Sequence, residues 1–354
     1  MDFDRACRIC GSSRTRPLQL REMMFGSREQ FSYLECLGCG CVQIETYPQD
    51  VSKFYPSDYQ PFSVPDPGSE TLPGLASRVK RRVRNHLLAR SPALWRRKLA
   101  SDSNRRWLSR RPLVALYTKW LASPGASILD VGCGTGELLK NLRDLGFSRA
   151  EGVDPFIKSD VFYRGTRMVR KGTIEDVAGP FDCVSLHHAL EHIPDQRQIF
   201  AELARVLAPG GVLIIRVPVV DGLAWRTYRE QWVQLDPPRH YYIHSEKSLR
   251  LLAENAGLAV ETIDYDSTGF QFWGSELYRR DIPLTDKRSP LVRGSAPDTE
   301  SDAAFTTAEL AEFDEKAAAL NERRDGDQVI AVFRKRLDAH DFASGGTVGA
   351  VPVP

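Results

Sequence analysis

The sequence predicts an α/β fold: a seven-stranded, mostly parallel sheet with helices on both faces, spanning residues 121–338 of a 354-residue chain. Three observations predict it. The run Ile128-Leu-Asp-Val-Gly-Cys-Gly-Thr-Gly136 reads as a buried strand turning through three alternating glycines into a helix near Glu137. Strand-like and helix-like segments then alternate, as in βαβ units. Ahead of that alternation stand two Cys-x-x-Cys pairs, which mark a separate small module. The expected organisation is a cysteine module over 1–60, a basic helical bridge or cap over 61–120, the sheet domain over 121–338 and a disordered Gly/Pro/Val-rich tail over 339–354.

The composition, 42% hydrophobic and 27% charged, is that of a soluble globular protein. A formal net charge of +2 selects no class of partner. No apolar run approaches the ~18 residues of a membrane span. The first residues lack the charged-then-apolar pattern of a secretory leader. A cytoplasmic location is therefore expected, where cysteines stay reduced.

Cys7 and Cys10 form one knuckle, Cys36 and Cys39 the other, with 25 residues between Cys10 and Cys36. Gly11 and Gly40 follow the pairs and permit tight turns that aim both thiolates of each pair at one point. Four thiolates fill a tetrahedral zinc site with no open position, which makes the site structural. A redox reading is weaker, because a thioredoxin-like site has one such pair. Cys41 reads as a bystander, and Cys133 and Cys183 as buried small residues. Residues 30–36 alternate like a strand. The aromatic stretch 53–59 packs on the next domain or lines a surface.

The bridge holds thirteen Lys/Arg and one acid, Asp102, between Arg78 and Arg111. Val79, Val83, Leu87, Leu88, Trp95 and Leu99 recur as on an amphipathic helix, broken at Pro92. It can be a solvated helix face packed on the core, a contact for an anionic substrate, a membrane-surface helix or an RNA grip.

In the sheet domain, 127–131 is the first strand. Gly132, Gly134 and Gly136 let the backbone approach a ligand closely, and the helix start beyond offers free N–H groups. Asp130 closes the strand within reach of an ammonium group. The spacing differs from the G-x-G-x-x-G of dinucleotide sites. A second strand ends at Asp154, 24 residues on (154 − 130), where sheets of this kind hold a ribose diol. A third strand runs near 167–170. Residues 181–187 form the fourth, and the segment from His187 to Asp195 holds His187, His188, Glu191 and His192. An amphipathic helix over 199–207 ends at Ala208-Pro-Gly-Gly211, before a fifth strand over 212–217. Residues 219–244 interrupt the alternation. Their tryptophan, tyrosines, Arg239, His240 and His244 suit a polar, ring-shaped acceptor. Asp236-Pro-Pro-Arg239 follows the fifth strand and is discounted as an amino-methylating signature. A helix over 245–257, a strand over 258–265, a polar loop over 281–307, a surface helix over 307–323 and a last, antiparallel strand over 325–334 beside the fifth complete the domain.

The run from Ile128 to Gly136 together with Asp154 resembles the first motifs of class I S-adenosylmethionine (SAM)-dependent methyltransferases. Residues 121–335 look like the broad group called methyltransferase type 23, with a Rossmann-like sheet. With the zinc-ribbon-like front, the chain also resembles a bacterial subset associated with sugar or cell-surface polysaccharide modification. Sugar C-methyltransferases share the cysteine module but carry a large further domain that does not follow Arg334 here.

The resemblance implies SAM held by Asp130, Gly132, Gly134, Gly136 and Asp154. Glu175 or Asp176 would meet the adenine amino group, and His187 would touch the cofactor or pack. His188 and His192 fall beside the sulfonium. His240 is the leading candidate for general base, with His192 and His188 behind it. The expected reaction is methyl transfer to a small-molecule or glycan acceptor, foremost a sugar hydroxyl in polysaccharide or natural-product biosynthesis. The alternatives are N- or C-methylation of a sugar or lipid-linked precursor, an RNA methyltransferase gripping through the zinc module and bridge, and a SAM-binding scaffold. Peripheral membrane contact through the bridge is the partner to test, and the oligomeric state is open.

Overall fold

The computed structural model describes residues 6–50, 52–54, 83, 87, 88, 90–293 and 303–337. The aromatic residues 55–59, most of the bridge before residue 90 and the tail over 339–354 lie outside the described residues.

Among the described residues the main sheet has eight strands. Four parallel pairings build its centre: β4 (Ser127–Val131) lies between β5 (Arg149–Asp154) and β8 (Phe181–His187), β7 (Thr166–Lys171) pairs with β5, and β9 (Leu207–Pro218) with β8. β12 (Gln328–Lys335) is antiparallel to both β9 and β11 (Leu258–Tyr265), so the last strand enters beside the fifth as expected. The strand beyond the expected seven is β6 (Val161–Tyr163), an edge hairpin partner of β7. Arg164 and Gly165, both at positive φ (52 and 78), make its two-residue turn.

Helices lie between these strands: α1 (Pro92–Leu99), α2 (Asp102–Ser109), α3 (Pro112–Trp120), α4 (Glu137–Leu145), α5 (Gln196–Val206), α6 (Leu223–Tyr228), α7 (Glu246–Asn255), α8 (Phe270–Arg279), α9 (Pro290–Arg293) and α10 (Thr307–Glu322). The break expected at Pro92 is present: residues 87, 88 and 90 are helical, Ser91 is not, and Pro92 opens α1 at the first helical position, where its missing N–H costs nothing, with Ser91 as cap. Helix α8 escaped the sequence reading. The stretch 208–211 bulges from β9: the partner of Phe181 is Leu207, and the partner of Cys183 is already Val212.

The bridge helices pack on the sheet. Trp95, Val114, Tyr117 and Leu121 share one apolar cluster with Ile128, Leu139, Phe147 and Val212. Each large apolar side chain buried this way contributes about 1.5–3 kcal/mol. The cysteine stretch forms a second sheet from β1 (Thr15–Arg21), β2 (Gln30–Cys36) and β3 (Val42–Ile44). Its fourth strand, β10 (Tyr242–Ile243), comes from the interruption after β9 and pairs Ile243 with Val42. The stretches 1–60 and 121–338 are therefore joined through one sheet. No helix among the described residues is long and apolar enough to cross a membrane.

Candidate active site

The carboxyl ends of β4, β5 and β8 lie side by side, the edge at which open α/β sheets bind ligands. Gly132, Gly134 and Gly136 all take positive φ (71, 54 and 83). A Cβ on Gly132 would lie 2.6 Å from the Ala189 Cβ, and one on Gly136 2.6 Å from a Val169 methyl. Backbone conformation and space both demand glycine. Helix α4 starts directly after the turn, so its first N–H groups face this edge.

Asp130 is buried and receives a 2.7 Å hydrogen bond from Ser185 Oγ. Tyr117 on α3 donates to Ser185 Oγ at 2.6 Å, and its hydroxyl is 2.9 Å from His187 Nε2. With the tyrosine proton committed to Ser185, His187 Nε2–H donates to the tyrosine oxygen. That leaves His187 Nδ1, buried and without a partner among the described residues, bearing a lone pair. Burial, aided by nearby Asp154, pushes the Asp130 carboxyl up to about 7. Burial, Arg216 and His188 push His187 down to about 3. The edge thus presents a carboxyl that gains from a cation and an imidazole that stays neutral.

Asp154 Oδ2 accepts from Gly134 N–H at 2.9 Å, and Oδ1 from Phe156 N–H at 2.8 Å. A carboxylate has about four acceptor sites, so two remain for a diol. Glu175 and Asp176 are exposed on a short turn. Asp176 caps that turn by accepting from Thr173 N–H at 3.1 Å.

The histidines gather one layer further on. His188 takes φ 50, accepts from Arg216 Nη1 at 2.7 Å and sets Nδ1 3.3 Å from Glu191 Oε1. Arg216 is also paired with Asp266. Glu191 is fully buried, and neither carboxylate oxygen has a partner in hydrogen-bond geometry among the described residues. Burial raises its pKa, but the close approach and charge of His188, with His192 and His240, lower it further, to about 2. His192 Nδ1 lies 2.8 Å from the Arg239 carbonyl, and His240 Nδ1 2.8 Å from the Gln234 carbonyl. Carbonyls accept, so both Nδ1 atoms carry a proton, and a neutral His240 ring then holds a lone pair on Nε2. The rings meet edge to face, 4.8 Å between centroids. Burial and His192 push His240 down to about 4.

Much of the 219–244 stretch is framework rather than pocket. Arg239 is 1% exposed. It is bound by Asp236, by Glu22 at 3.1 Å and by the Phe54 carbonyl at 3.2 Å, so it is not open to an acceptor. Trp232 Nε1 donates to Asp327 at 3.0 Å, and Tyr242 donates to the Pro194 carbonyl at 3.1 Å. His244 is buried, with Nδ1 3.2 Å from Ser248 Oγ.

A family model described as "Methyltransferase domain" matches residues 97–263. The ubiquinone biosynthesis O-methyltransferase of Xanthomonas oryzae pv. oryzae (strain PXO99A) is 30% identical over 202 residues, covering 47% of this chain and 80% of that protein. The protein of the same name from Xanthomonas axonopodis pv. citri (strain 306) is 31% identical over 195 residues, with the same coverage. The chain belongs to the SAM-dependent methyltransferases. A putative sarcosine dimethylglycine methyltransferase from Galdieria sulphuraria aligns in structure with TM-score 0.39 and 19% identity, over 64% of this methyltransferase and 86% of that chain.

In this methyltransferase the thiols of Cys7, Cys10, Cys36 and Cys39 lie within 4.8 Å of one another. The Cys7–Cys39 and Cys10–Cys36 sulfur separations are 3.6 and 3.5 Å. Tetrahedral zinc with ~2.3 Å bonds needs about 3.8 Å between sulfurs, so the set fits. The Cys41 sulfur also lies close, 3.5 Å from Cys7 and 3.4 Å from Cys39, but it is not one of the four that gather around a common centre. The sequence did not single out Tyr117 or Ser185. An apolar-rich helix and a strand Ser carry no local sign of a contact 68 residues apart.

Proposed function

We propose that this methyltransferase methylates a hydroxyl of a sugar or glycan acceptor, in polysaccharide or natural-product biosynthesis. One observation carries the reading: His240, kept neutral by burial and with Nδ1–H given to the Gln234 carbonyl, stands edge to face with His192 and close to the buried Glu191 carboxylate. An aliphatic hydroxyl is a weak acid and benefits from a base at the moment of attack.

Asp130 holds the ammonium of SAM, Asp154 the ribose diol, and Gly132, Gly134 and Gly136 let the backbone close on it. Bound SAM supplies an electrophilic methyl group. At that methyl group the acceptor oxygen would be the nucleophile and the SAM sulfur would keep the electron pair, while His240 Nε2 would take the hydroxyl proton. His192 packs against His240, while His188 and Arg216 position Glu191. Much of the protein's work is alignment and exclusion of water. Zinc on Cys7, Cys10, Cys36 and Cys39 stabilises the front sheet.

A second reading, a phenolic hydroxyl, is favoured by the relatives named for ubiquinone biosynthesis. A phenol ionises more readily and depends less on His240. Exposed Leu87 and Leu94 beside Arg90, Arg96 and Arg97 support peripheral contact with an anionic membrane, where lipid-linked acceptors reside. We place the enzyme in the cytoplasm, where thiols stay reduced.

The test is methyl transfer from isotopically labelled SAM to separate pools of nucleotide sugars, glycolipid precursors, phenols and RNA, with His240→Ala alongside. Label in a sugar pool, lost in the variant, supports the reading. Label in RNA with steep salt dependence, or in phenols with His240→Ala active, overturns it.

A further inference from the structure

We infer that Cys41 is a reserve ligand of the cysteine metal site: when Cys10 leaves the zinc, the Cys41 sulfur takes its coordination position and the front sheet keeps its metal. The inference rests on zinc held by Cys7, Cys10, Cys36 and Cys39, and adds a fifth thiol to that set.

Three observations carry it. The Cys41 sulfur lies 3.5 Å from that of Cys7 and 3.4 Å from that of Cys39, and those two lie 3.6 Å apart. Such a triangle is close to one face of a zinc tetrahedron, whose sulfur–sulfur edges are about 3.8 Å. Cys41 therefore shares the Cys7–Cys39 edge with the four-thiol set. The backbone also holds Cys41 in place. Cys36 N–H donates to the Cys41 carbonyl at 2.8 Å, and the next residue, Val42, pairs with Glu35 and with Ile243. Gly40, at φ 86, turns the chain between Cys39 and Cys41. From so fixed a backbone, a rotamer change or a small shift of the ion brings the sulfur to zinc without opening the sheet. The same 2.8 Å bond keeps Cys36, the fourth corner, beside it. Finally, exposure singles out Cys10 as the ligand to be lost. Cys7, Cys36, Cys39 and Cys41 are at most 2% exposed, whereas Cys10 is only half-buried. An electrophile reaches the exposed thiolate first.

The exchange balances. The zinc–sulfur bond to Cys10 breaks, and its electron pair stays on that sulfur. The Cys41 thiol forms the new bond and releases its proton, which the Cys10 thiolate accepts. Where an alkylating agent has taken Cys10, the proton goes to water. Four thiolates surround the metal before and after an exchange, so the charge of the centre is unchanged. The competing role for Cys41 is a thiol that only donates S–H to Cys7 and Cys39.

The test uses the full chain loaded with zinc, or with Co²⁺ in its place, and the variants Cys10→Ala, Cys41→Ala and the two combined. Metal content, affinity against a competing chelator and thiolate-to-Co²⁺ charge-transfer intensity, which counts bound sulfurs, are measured. The unsubstituted chain and Cys41→Ala should each hold one metal with four-thiolate intensity. Cys10→Ala should keep that intensity and bind less than about tenfold more weakly, while the double variant should fall to three-thiolate intensity and bind about a hundredfold more weakly than Cys10→Ala. Three-thiolate intensity in Cys10→Ala, equal to the double variant, overturns the reserve role. So does loss of metal in Cys41→Ala alone, which would make Cys41 a primary ligand. A second measurement leaves Cys10 in place. Iodoacetamide is applied to the zinc-loaded chain and to Cys41→Ala, with modified sites mapped by mass spectrometry and freed zinc followed by a metal-binding dye. Modification of Cys10 should free zinc several times faster from Cys41→Ala, and equal rates overturn the inference. These failures leave the four-cysteine site standing. A chain that binds no metal through thiolates overturns that site and the reserve role together.

Discussion

Asp130 is the residue whose environment makes the sharpest claim. Its carboxyl sits near 7 because burial penalises the charge. Binding an ammonium favours the charged form, so its pKa falls in the complex. Below about pH 7 the free protein must lose a proton on binding, and SAM affinity should drop up to about tenfold per pH unit. Calorimetry between pH 6 and 8 should show that slope, and Asp130→Asn should bind weakly with the slope gone. Asp130, Asp154 and the three glycines were legible because the chemistry is written into consecutive spacing. Arg239 was misread for the opposite reason. A loop arginine looks available until Glu22, 217 residues away, is found holding it. Glu191 attracted less notice than its neighbouring histidines, although it is the more deeply buried group.

At the scale of elements, the glycine turn and helix α3 meet the same edge from two sides. Gly132→Ala should cost about 1–2 kcal/mol from the left-handed conformation alone, with more from the Ala189 contact. Thermal unfolding would measure that cost, and SAM binding should be lost well below the melting transition. Tyr117→Phe removes the donor to Ser185 and should cost about 0.5–1.5 kcal/mol, with a severalfold rise in the dissociation constant for SAM. Strands were read well wherever burial on both faces left an apolar run, as in β4 and β8. The edge hairpin of β6 was missed because three residues with one buried position give no periodic signal. Helix α8 was missed because its apolar residues surround most of its circumference. Its Gly274, pressed against Val233, suggests a loop in sequence but serves close packing.

Across the whole molecule, the cysteine sheet and the main sheet meet at the candidate base. Tyr33 donates to the His240 carbonyl at 2.8 Å, Ser245 donates to the Cys39 carbonyl, and Glu22 holds Arg239, the residue before His240. Stripping the cysteine metal with a chelator should therefore depress turnover strongly while leaving SAM affinity within about threefold, since the glycine turn stands on the other sheet. Parallel measurements of labelled methyl transfer and SAM calorimetry check this. Glu22→Ala leaves a buried guanidinium short of one partner and should lower stability by about 3–5 kcal/mol, read by denaturant unfolding. Two modules were legible from the cysteine spacing and the glycine turn, but not their union, because the two residues of β10 carry no mark of a partner 199 residues upstream (242 − 43, Tyr242 with Gln43).

That union also sets an order of events during synthesis. The front sheet reaches Ile44 early, yet its closing strand is Tyr242–Ile243, 198 residues later (242 − 44). At about 5–20 residues per second, a ribosome needs roughly 10–40 s to deliver it. Through that interval the nascent chain exposes one edge of β3, with the cysteines already clear of the tunnel. Early metal capture would hold the half-made sheet in register until its last strand arrives.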